Sequence, residues 1–106
     1  MTEKGSPNHI PEIVEAGATV TLDELCLSCK VEQEWILELV EHGAIEAFGH
    51  SGSDWQFSHV TIVRVAKAKR LERDLALNMP GVALALELLD EIDGLRARLK
   101  AAEGRR

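Results

Sequence analysis

Residues 21–45, TLDELCLSCKVEQEWILELVEHGAI, constrain the fold more than any other stretch of the chain. Thr21 is followed three residues later by Glu24, a capping-box pattern in which each side chain accepts a hydrogen bond from the other residue's backbone N–H. This pattern predicts a helix from Leu22 to Cys29, and a turn at Lys30-Val31 then leads into a second, amphipathic helix. The buried stripe of the second helix is predicted to consist of Ile36, Leu39, Val40 and Gly43.

The segments on either side of these helices predict a head of the winged helix-turn-helix type. Residues 18–20 are short and β-branched, which favours a strand. Residues 47–48 and 55–57 are strand-like and flank a polar loop, so they predict a small β-hairpin wing. Ser58 is expected to cap a third helix that continues to about Leu75.

The last helix is predicted from about Met79 to Ala102, with Asn78 as its cap and Pro80 in its first turn. Its apolar residues recur at 3-4-3-4-3 spacing, which is a heptad seam. The seam consists of Ala85, Leu88, Ile92, Leu95, Leu99 and Ala102. A head of this size cannot cover so long a seam, so we expect a homodimer through this helix; the alternative is a helix that folds back fully onto its own head.

The fold class that follows is mainly α, a winged helix-turn-helix head with a small β-hairpin wing and a long C-terminal dimerisation helix. We expect a flexible arm at residues 1–17, the head at residues 18–77 and the dimerisation helix at residues 78–106. Two Phe, two Trp and no Tyr leave a core of mostly aliphatic side chains. No apolar run approaches the ~20 residues of a membrane span and the N-terminus has no signal-peptide core, so a cytoplasmic protein without membrane contact is expected.

The net charge of −6 divides unevenly along the chain. Residues 1–57 carry eleven acidic and two basic side chains, whereas residues 58–106 carry seven acidic and ten basic ones. A head with so much negative charge repels phosphate and attracts cationic partners. Direct binding to DNA is therefore not expected.

The second predicted helix carries the sharpest candidate site. Glu34, Glu38 and Glu41 fall together at 100° per residue on the side opposite the buried stripe, and Trp35 is expected at an exposed edge. The row is either a solvated charged face or a protein-binding face with Trp35 as anchor. As a DNA-reading surface it lacks the Lys and Arg that neutralise phosphates and read guanine.

Cys26 and Cys29 form a CxxC motif, for which a zinc or redox switch is the alternative to a packing role. A structural zinc site needs four ligands, and the chain has no second pair or suitably spaced His pair. A redox CxxC belongs at a helix N-terminus, whereas this one is expected at a C-terminal end. Cys26 is expected to be a small core residue. No catalytic set, cofactor or metal is predicted, and the chain is not expected to be an enzyme.

The order of elements resembles the MerR-type winged-helix architecture, and within that class the chain is similar to the chaperone-modulator family called CbpM. The resemblance covers about residues 19–99 and leaves out the arm. Its most specific part is the run LAL-x-x-PG-x-A-x-AL-x-L with the acidic residues that follow. The residues that carry it are Val20 to Cys26 (VTLDELC), Glu34, Glu38, Gly43 to Glu46 (GAIE), Trp55, Phe57 and Leu71 to Leu95 (LERDLALNMPGVALALELLDEIDGL).

The resemblance implies a non-enzymatic regulator. Proteins of this family bind the J-domain of CbpA, a DnaJ-like co-chaperone, keep it from engaging DnaK, and restrain its DNA binding, which would place the chain near the nucleoid through its partner. J-domains present a basic helix, for which an acidic surface is complementary. We expect contact through Glu34, Trp35, Glu38 and Glu41, with a rival acidic patch in the last helix that includes Asp90 and Glu91. The alternative function is that of a MerR-type DNA-binding transcriptional regulator.

Overall fold

The computed structural model describes residues 18–50 and 53–104. Four helices and two short strands occur in this part of the chain, and they confirm the mainly α class with a helix-turn-helix head. In chain order they are β1 (Thr19–Thr21), α1 (Leu22–Cys29), α2 (Gln33–Glu41), β2 (Gln56–Ser58), α3 (Val60–Leu75) and α4 (Met79–Gly104). The predicted arm at residues 1–17 lies outside the described residues.

The capping box at the start of α1 forms as predicted. The backbone N–H of Glu24 donates to Thr21 Oγ1 at 3.1 Å, and the backbone N–H of Thr21 donates to Glu24 Oε1 at 2.9 Å. Lys30 adopts a left-handed conformation with φ 59° and ends the helix. Because that residue reverses the chain so tightly, α2 begins only three residues later and packs against α1.

The stripe predicted for α2 is partly correct. Ile36 and Leu39 are fully buried and Val40 is half-buried. Gly43 is exposed, because α2 ends at Glu41 and Gly43 follows in a turn with φ 76°, where the helical periodicity no longer applies. Gly43 instead follows the end of α2 in a left-handed conformation, which glycine adopts without steric cost.

The predicted hairpin wing forms as a single bridge, and the two-stranded sheet adds a pairing with β1 that we did not predict. Phe48 and Gln56 form the expected antiparallel bridge, with N–H···O distances of 2.9 and 2.8 Å. The wing does not continue from this bridge as a ladder of its own; instead β2 pairs with β1, in the register Thr19–Ser58, Val20–Phe57 and Thr21–Gln56. Phe57 is fully buried, so this pairing fixes the wing onto the core of the head.

Helix α3 starts two residues after the predicted cap. Ser58 ends β2, and its Oγ accepts a hydrogen bond from the backbone N–H of Val60 at 3.4 Å, so Ser58 joins strand to helix rather than capping from the N-cap position. The helix ends at Leu75 as predicted. A left-handed Ala76, with φ 55°, then turns the chain toward α4.

The start of α4 completes the core of the head. Asn78 Oδ1 accepts from the backbone N–H of Gly81 at 2.9 Å, which is the predicted cap. Val82 and Leu86 are fully buried against the other elements. The helix continues to Gly104, two residues beyond the predicted end. The largest fully buried side chains are Leu25, Ile36, Leu39, Phe57, Val65, Val82 and Leu86.

Every residue of α4 from Asp90 to Gly104 is exposed. The helix therefore leaves the head after about three turns and projects outward. A helix that folds back fully onto its own head is excluded, because the head contacts only the first half of α4. None of the described residues of the head covers the projecting half.

Candidate functional site

The outer side of α2 presents the three predicted carboxylates together. Glu34, Glu38 and Glu41 are all exposed, on the side of the helix opposite Ile36 and Leu39. Their side chains form no hydrogen bond or ion pair with any residue in the described ranges 18–50 and 53–104. We call these three residues the acidic face of α2. Three unneutralised charges on one short helix are available to an incoming cation.

Apolar side chains lie beside the acidic face. Leu37 is exposed and lines a shallow concavity between α1 and α2, together with Gln33 and Asp23. Gln33 Nε2 donates to Asp23 Oδ1 at 3.1 Å and holds the two helices together there. Leu27 on α1 is 78% exposed. Helical periodicity already places Leu37 at an edge of the acidic face. Sequence reasoning did not consider Leu27, which a helical wheel anchored on Leu25 would have placed on the outside.

Trp35 is less exposed than predicted, because its indole packs against α3. Its Nε1–H donates to Glu72 Oε2 at 3.0 Å, and Lys69 Nζ lies 4.8 Å from the ring centroid in a cation–π contact. Lys69 Nζ also contacts Glu72 Oε1 at 3.0 Å. The expectation of an exposed edge tryptophan is therefore wrong in this respect: Trp35 joins α2 to α3.

Glu72 titrates below the ordinary range of a glutamate. The hydrogen bond from Trp35 is the main cause of the lowered pKa; the contact with Lys69 adds to it, while partial burial opposes it. An ionised Glu72 is the better acceptor for an N–H donor. The Trp35–Lys69–Glu72 cluster is therefore strongest when Glu72 carries its charge.

The rival acidic patch in α4 is partly neutralised within the chain. Arg64 of α3 donates from Nη1 and Nη2 to the two carboxylate oxygens of Asp90, at 2.9 and 3.0 Å. Its Nε also donates to the carbonyl oxygen of Ala44 at 2.6 Å. Glu91 is exposed and has no ion pair in the part of the chain that the structure describes. Asp90 therefore anchors α4, whereas Glu91 is free to meet a partner.

The predicted dimer seam is open to solvent in the single chain. Leu95 and Leu99 are 53% and 60% exposed, and Leu88 and Ile92 are exposed as well. Ala85 is half-buried because it lies where α4 still contacts the head. The seam and the head-facing side of α4, at Val82 and Leu86, are thus separate sides of one helix.

The two cysteines have the properties of packing residues. Both are half-buried, and Cys29 Sγ donates to the carbonyl oxygen of Ile62 at 3.7 Å. Burial raises the pKa of both thiols, and the neighbouring carboxylate of Asp23 raises that of Cys26 further. Among the described residues no three His, Cys, Asp or Glu side chains are grouped to hold a metal ion, and no helix is long and apolar enough to span a membrane.

Comparison with known proteins agrees with this architecture. The family described as "MerR HTH family regulatory protein" matches residues 20–103. A relative from Coxiella burnetii (strain Dugway 5J108-111) is 42% identical over 91 residues, which cover 86% of each chain. One from Pseudomonas entomophila is 41% identical over 73 residues, or 69% of this chain and 72% of the relative. One from Salmonella paratyphi B is 42% identical over 78 residues, or 74% and 77%.

The helix-turn-helix head, the bridged wing and the projecting α4 define a protein of the MerR helix-turn-helix class. All three relatives carry the name "Chaperone modulatory protein CbpM". The chain belongs to the CbpM family of chaperone modulatory proteins. Its role is to modulate a chaperone, and the family is not one of enzymes.

Proposed function

We propose that the chain binds the J-domain of a CbpA-type, DnaJ-like co-chaperone through the acidic face of α2. Binding there would keep the J-domain from engaging DnaK and so inhibit the co-chaperone, and it would also restrain the partner's own binding to DNA. The observation that carries this proposal is the set of three exposed, unpaired carboxylates of Glu34, Glu38 and Glu41. A chaperone modulator with such a face suits a basic partner.

The spacing of the carboxylates suits a basic helix. Glu34 and Glu38 lie one turn apart, about 6 Å along the axis, and Glu41 follows at the next turn. Lys or Arg side chains one turn apart on a partner helix have the same spacing and can meet them in register. Complementary charges of this kind steer the encounter and exclude partners of the wrong sign.

The acidic face of α2 is a better candidate than the patch in α4. Asp90 already binds Arg64 in a two-pronged ion pair, so its charge is largely compensated. The carboxylates of α2 have no such partner within the described residues. Leu37 beside them adds apolar area that a J-domain helix can cover.

The same face argues against direct DNA binding. In a helix-turn-helix protein that reads DNA, the second helix enters the major groove and carries the base-reading side chains. Here that helix contains no Lys or Arg between Gln33 and Glu41. Each of its carboxylates would repel the phosphates on both sides of the groove.

We further propose that the functional unit is a homodimer through the seam of α4. The exposed Leu88, Ile92, Leu95 and Leu99 keep the 4-3-4 spacing of a coiled-coil helix. Burying a Leu or Ile side chain fully is worth about 1.5–3 kcal/mol, so four of them on each chain provide a substantial driving force. A dimer would present two acidic faces to its partners.

A double charge reversal tests the J-domain proposal. Glu34→Lys combined with Glu38→Lys should weaken binding to a CbpA-type J-domain by at least about tenfold, because attraction becomes repulsion. Raising the ionic strength should weaken wild-type binding, since exposed charges are screened within about 8 Å at 0.15 M. Affinity is read by isothermal titration calorimetry with the full-length chain, and the fold is monitored by circular dichroism.

A matched control places the same charge change on α4. Glu91→Lys combined with Glu87→Lys reverses two exposed carboxylates without touching the Arg64–Asp90 pair. We expect the affinity of this variant for the J-domain to stay within about threefold of that of the wild type, because the two charges lie outside the proposed interface. If the α4 variant lost binding while the α2 variant retained it, the site would move to α4 and the proposal for α2 would be wrong.

A further inference from the structure

The outer side of α3 carries an apolar and basic stripe that the proposed function does not use. Val60 and Val63 are 70% and 66% exposed, which is unusual for neighbouring valines one turn apart. Lys67 and Arg70 continue the same 3-4-3 spacing along the helix. Neither cation has an ion pair in the described part of the chain. We call these four residues the α3 stripe.

The N-terminal arm joins the described structure beside the start of this stripe. Strands β1 and β2 are antiparallel, with Thr19 opposite Ser58. Ser58 precedes Val60 by only two residues. The first described residues, Ala18 and Thr19, therefore lie next to the N-terminus of α3.

The sequence just before β1 complements the α3 stripe. Ile10, Ile13 and Val14 supply three apolar side chains within five residues. Glu12 and Glu15 are interleaved with them, in a segment that contains no Lys or Arg. We propose that residues 10–15 dock in cis on the α3 stripe, with the apolar side chains on Val60 and Val63 and the carboxylates beside Lys67 and Arg70.

The chain is long enough for this contact. From Ile13 to Thr19 an extended chain spans about 20 Å, at roughly 3.3 Å per residue. Opposed residues in an antiparallel pair are about 5 Å apart, and Val63 is five residues beyond Ser58. Connection to β1 also keeps the segment at high effective concentration near the stripe, an advantage that a separate partner does not have.

Zero-length cross-linking tests the contact in the full-length protein. A carbodiimide should join Glu12 or Glu15 to Lys67, and mass spectrometry of the digested protein identifies the linked peptides. A mixture of chains labelled with 14N and 15N distinguishes the source of the segment. We expect linked peptides of uniform isotope only; products of mixed isotope would show a second copy on the stripe and overturn docking in cis.

Hydrogen exchange provides an independent measurement. Ile13→Asp places a charge among the apolar side chains, so exchange in peptides covering residues 59–66 should rise by about threefold or more. Ser6→Asp adds the same charge outside residues 10–15 and should leave those peptides unchanged. Lys67→Arg keeps the positive charge but removes the amine, so it should abolish the cross-link without changing exchange.

Unchanged exchange in Ile13→Asp together with no link to Lys67 would overturn the proposal. Its outcome is separate from that of J-domain binding, because the α3 stripe and the acidic face of α2 share no residue. A chain whose arm docks on α3 can fail to bind a J-domain, and the reverse also holds.

Discussion

Arg64 and Asp90 form a two-pronged ion pair that joins α3 to α4, with N···O distances of 2.9 and 3.0 Å. The same guanidinium donates through Nε to the carbonyl oxygen of Ala44, in the segment that follows α2. One side chain thus links the end of the helix-turn-helix motif to the helix that leaves the head. We infer that it fixes the direction in which α4 projects.

Removing Arg64 should cost more stability than removing Asp90. Arg64→Ala leaves the Ala44 carbonyl without its donor as well as breaking the ion pair, and we expect a loss of about 1–2 kcal/mol. Asp90→Ala leaves the contact with Ala44 in place, and the pair is partly exposed, so the loss should stay below about 1 kcal/mol. Urea unfolding at one fixed protein concentration measures the free energy of unfolding of both variants. Equal losses of stability in the two would show that the hydrogen bond to Ala44 contributes nothing.

Glu72 should make stability depend on pH in the acid range. Its pKa is lowered in the folded chain by Trp35 and Lys69, so its contribution is present above the pKa of an unfolded glutamate and is lost as the pH falls through the lowered folded value. In the Glu72→Gln variant the side chain at this position does not titrate. The free energy of unfolding of this variant should therefore fall less between pH 7 and pH ~3 than that of the wild type. Urea unfolding at the two pH values measures this, with Glu34→Gln as the control at an exposed, unpaired carboxylate. Identical pH dependence in wild type and Glu72→Gln would contradict it.

The thiols of Cys26 and Cys29 should react slowly at neutral pH in the folded protein. Burial raises the pKa of both, so the reactive thiolate is scarce at pH 7. The rate of reaction with a disulfide reagent should increase on unfolding in urea and should rise with pH above about 8. Fast reaction of the native protein at pH 7 would instead support a redox role for the CxxC motif.

Leu95→Asp should separate the proposed dimer without unfolding the head. Leu95 is already half exposed in the single chain and lies beyond the part of α4 that packs on the core, so the charge acts on the seam alone. Lys100→Asp adds the same side chain outside the seam and should remain dimeric. Analytical ultracentrifugation reads the result, and a wild-type monomer across the concentration range would refute the dimer.

The wild-type chain should not shift duplex DNA in a mobility assay at about 50 mM salt, because its second helix lacks the cations that neutralise phosphates. Converting Glu34, Glu38 and Glu41 to Lys should create weak, nonspecific binding that disappears at about 200 mM salt. Tight binding by wild type, with a steep dependence on salt, would favour a DNA-binding regulator.

Much of the local structure could be predicted from the sequence. The capping box at Thr21 and Glu24, the α1 boundaries and the Asn78 cap depend on residues within one turn of each other. The outward position of Glu34, Glu38 and Glu41 follows from helical periodicity, because Ile36 and Leu39 can be buried on one side only. Local hydrogen bonds and one apolar period are enough for such predictions.

The sheet and the surroundings of Trp35 could not be predicted in this way. Pairing β2 with β1 connects residues that are almost forty positions apart, and the alternative hairpin partner at Phe48 is much nearer in sequence. Trp35 was placed at an exposed edge because periodicity describes a helix in isolation. Glu72 and Lys69, which occupy that edge, come from a helix whose position depends on the packing of the whole head.

By itself the sequence determined the approximate ends of the helices, the apolar side of each, and how acidic and basic residues divide between the two halves of the chain. The tertiary structure decided which of those charges remain available. It brings Arg64 to Asp90 and Lys69 to Glu72, while the carboxylates on α2 are left unpaired within the described residues. The physical reason is that a charge is neutralised by its neighbours in space, and packing of α3 against α2 and α4 sets those neighbours.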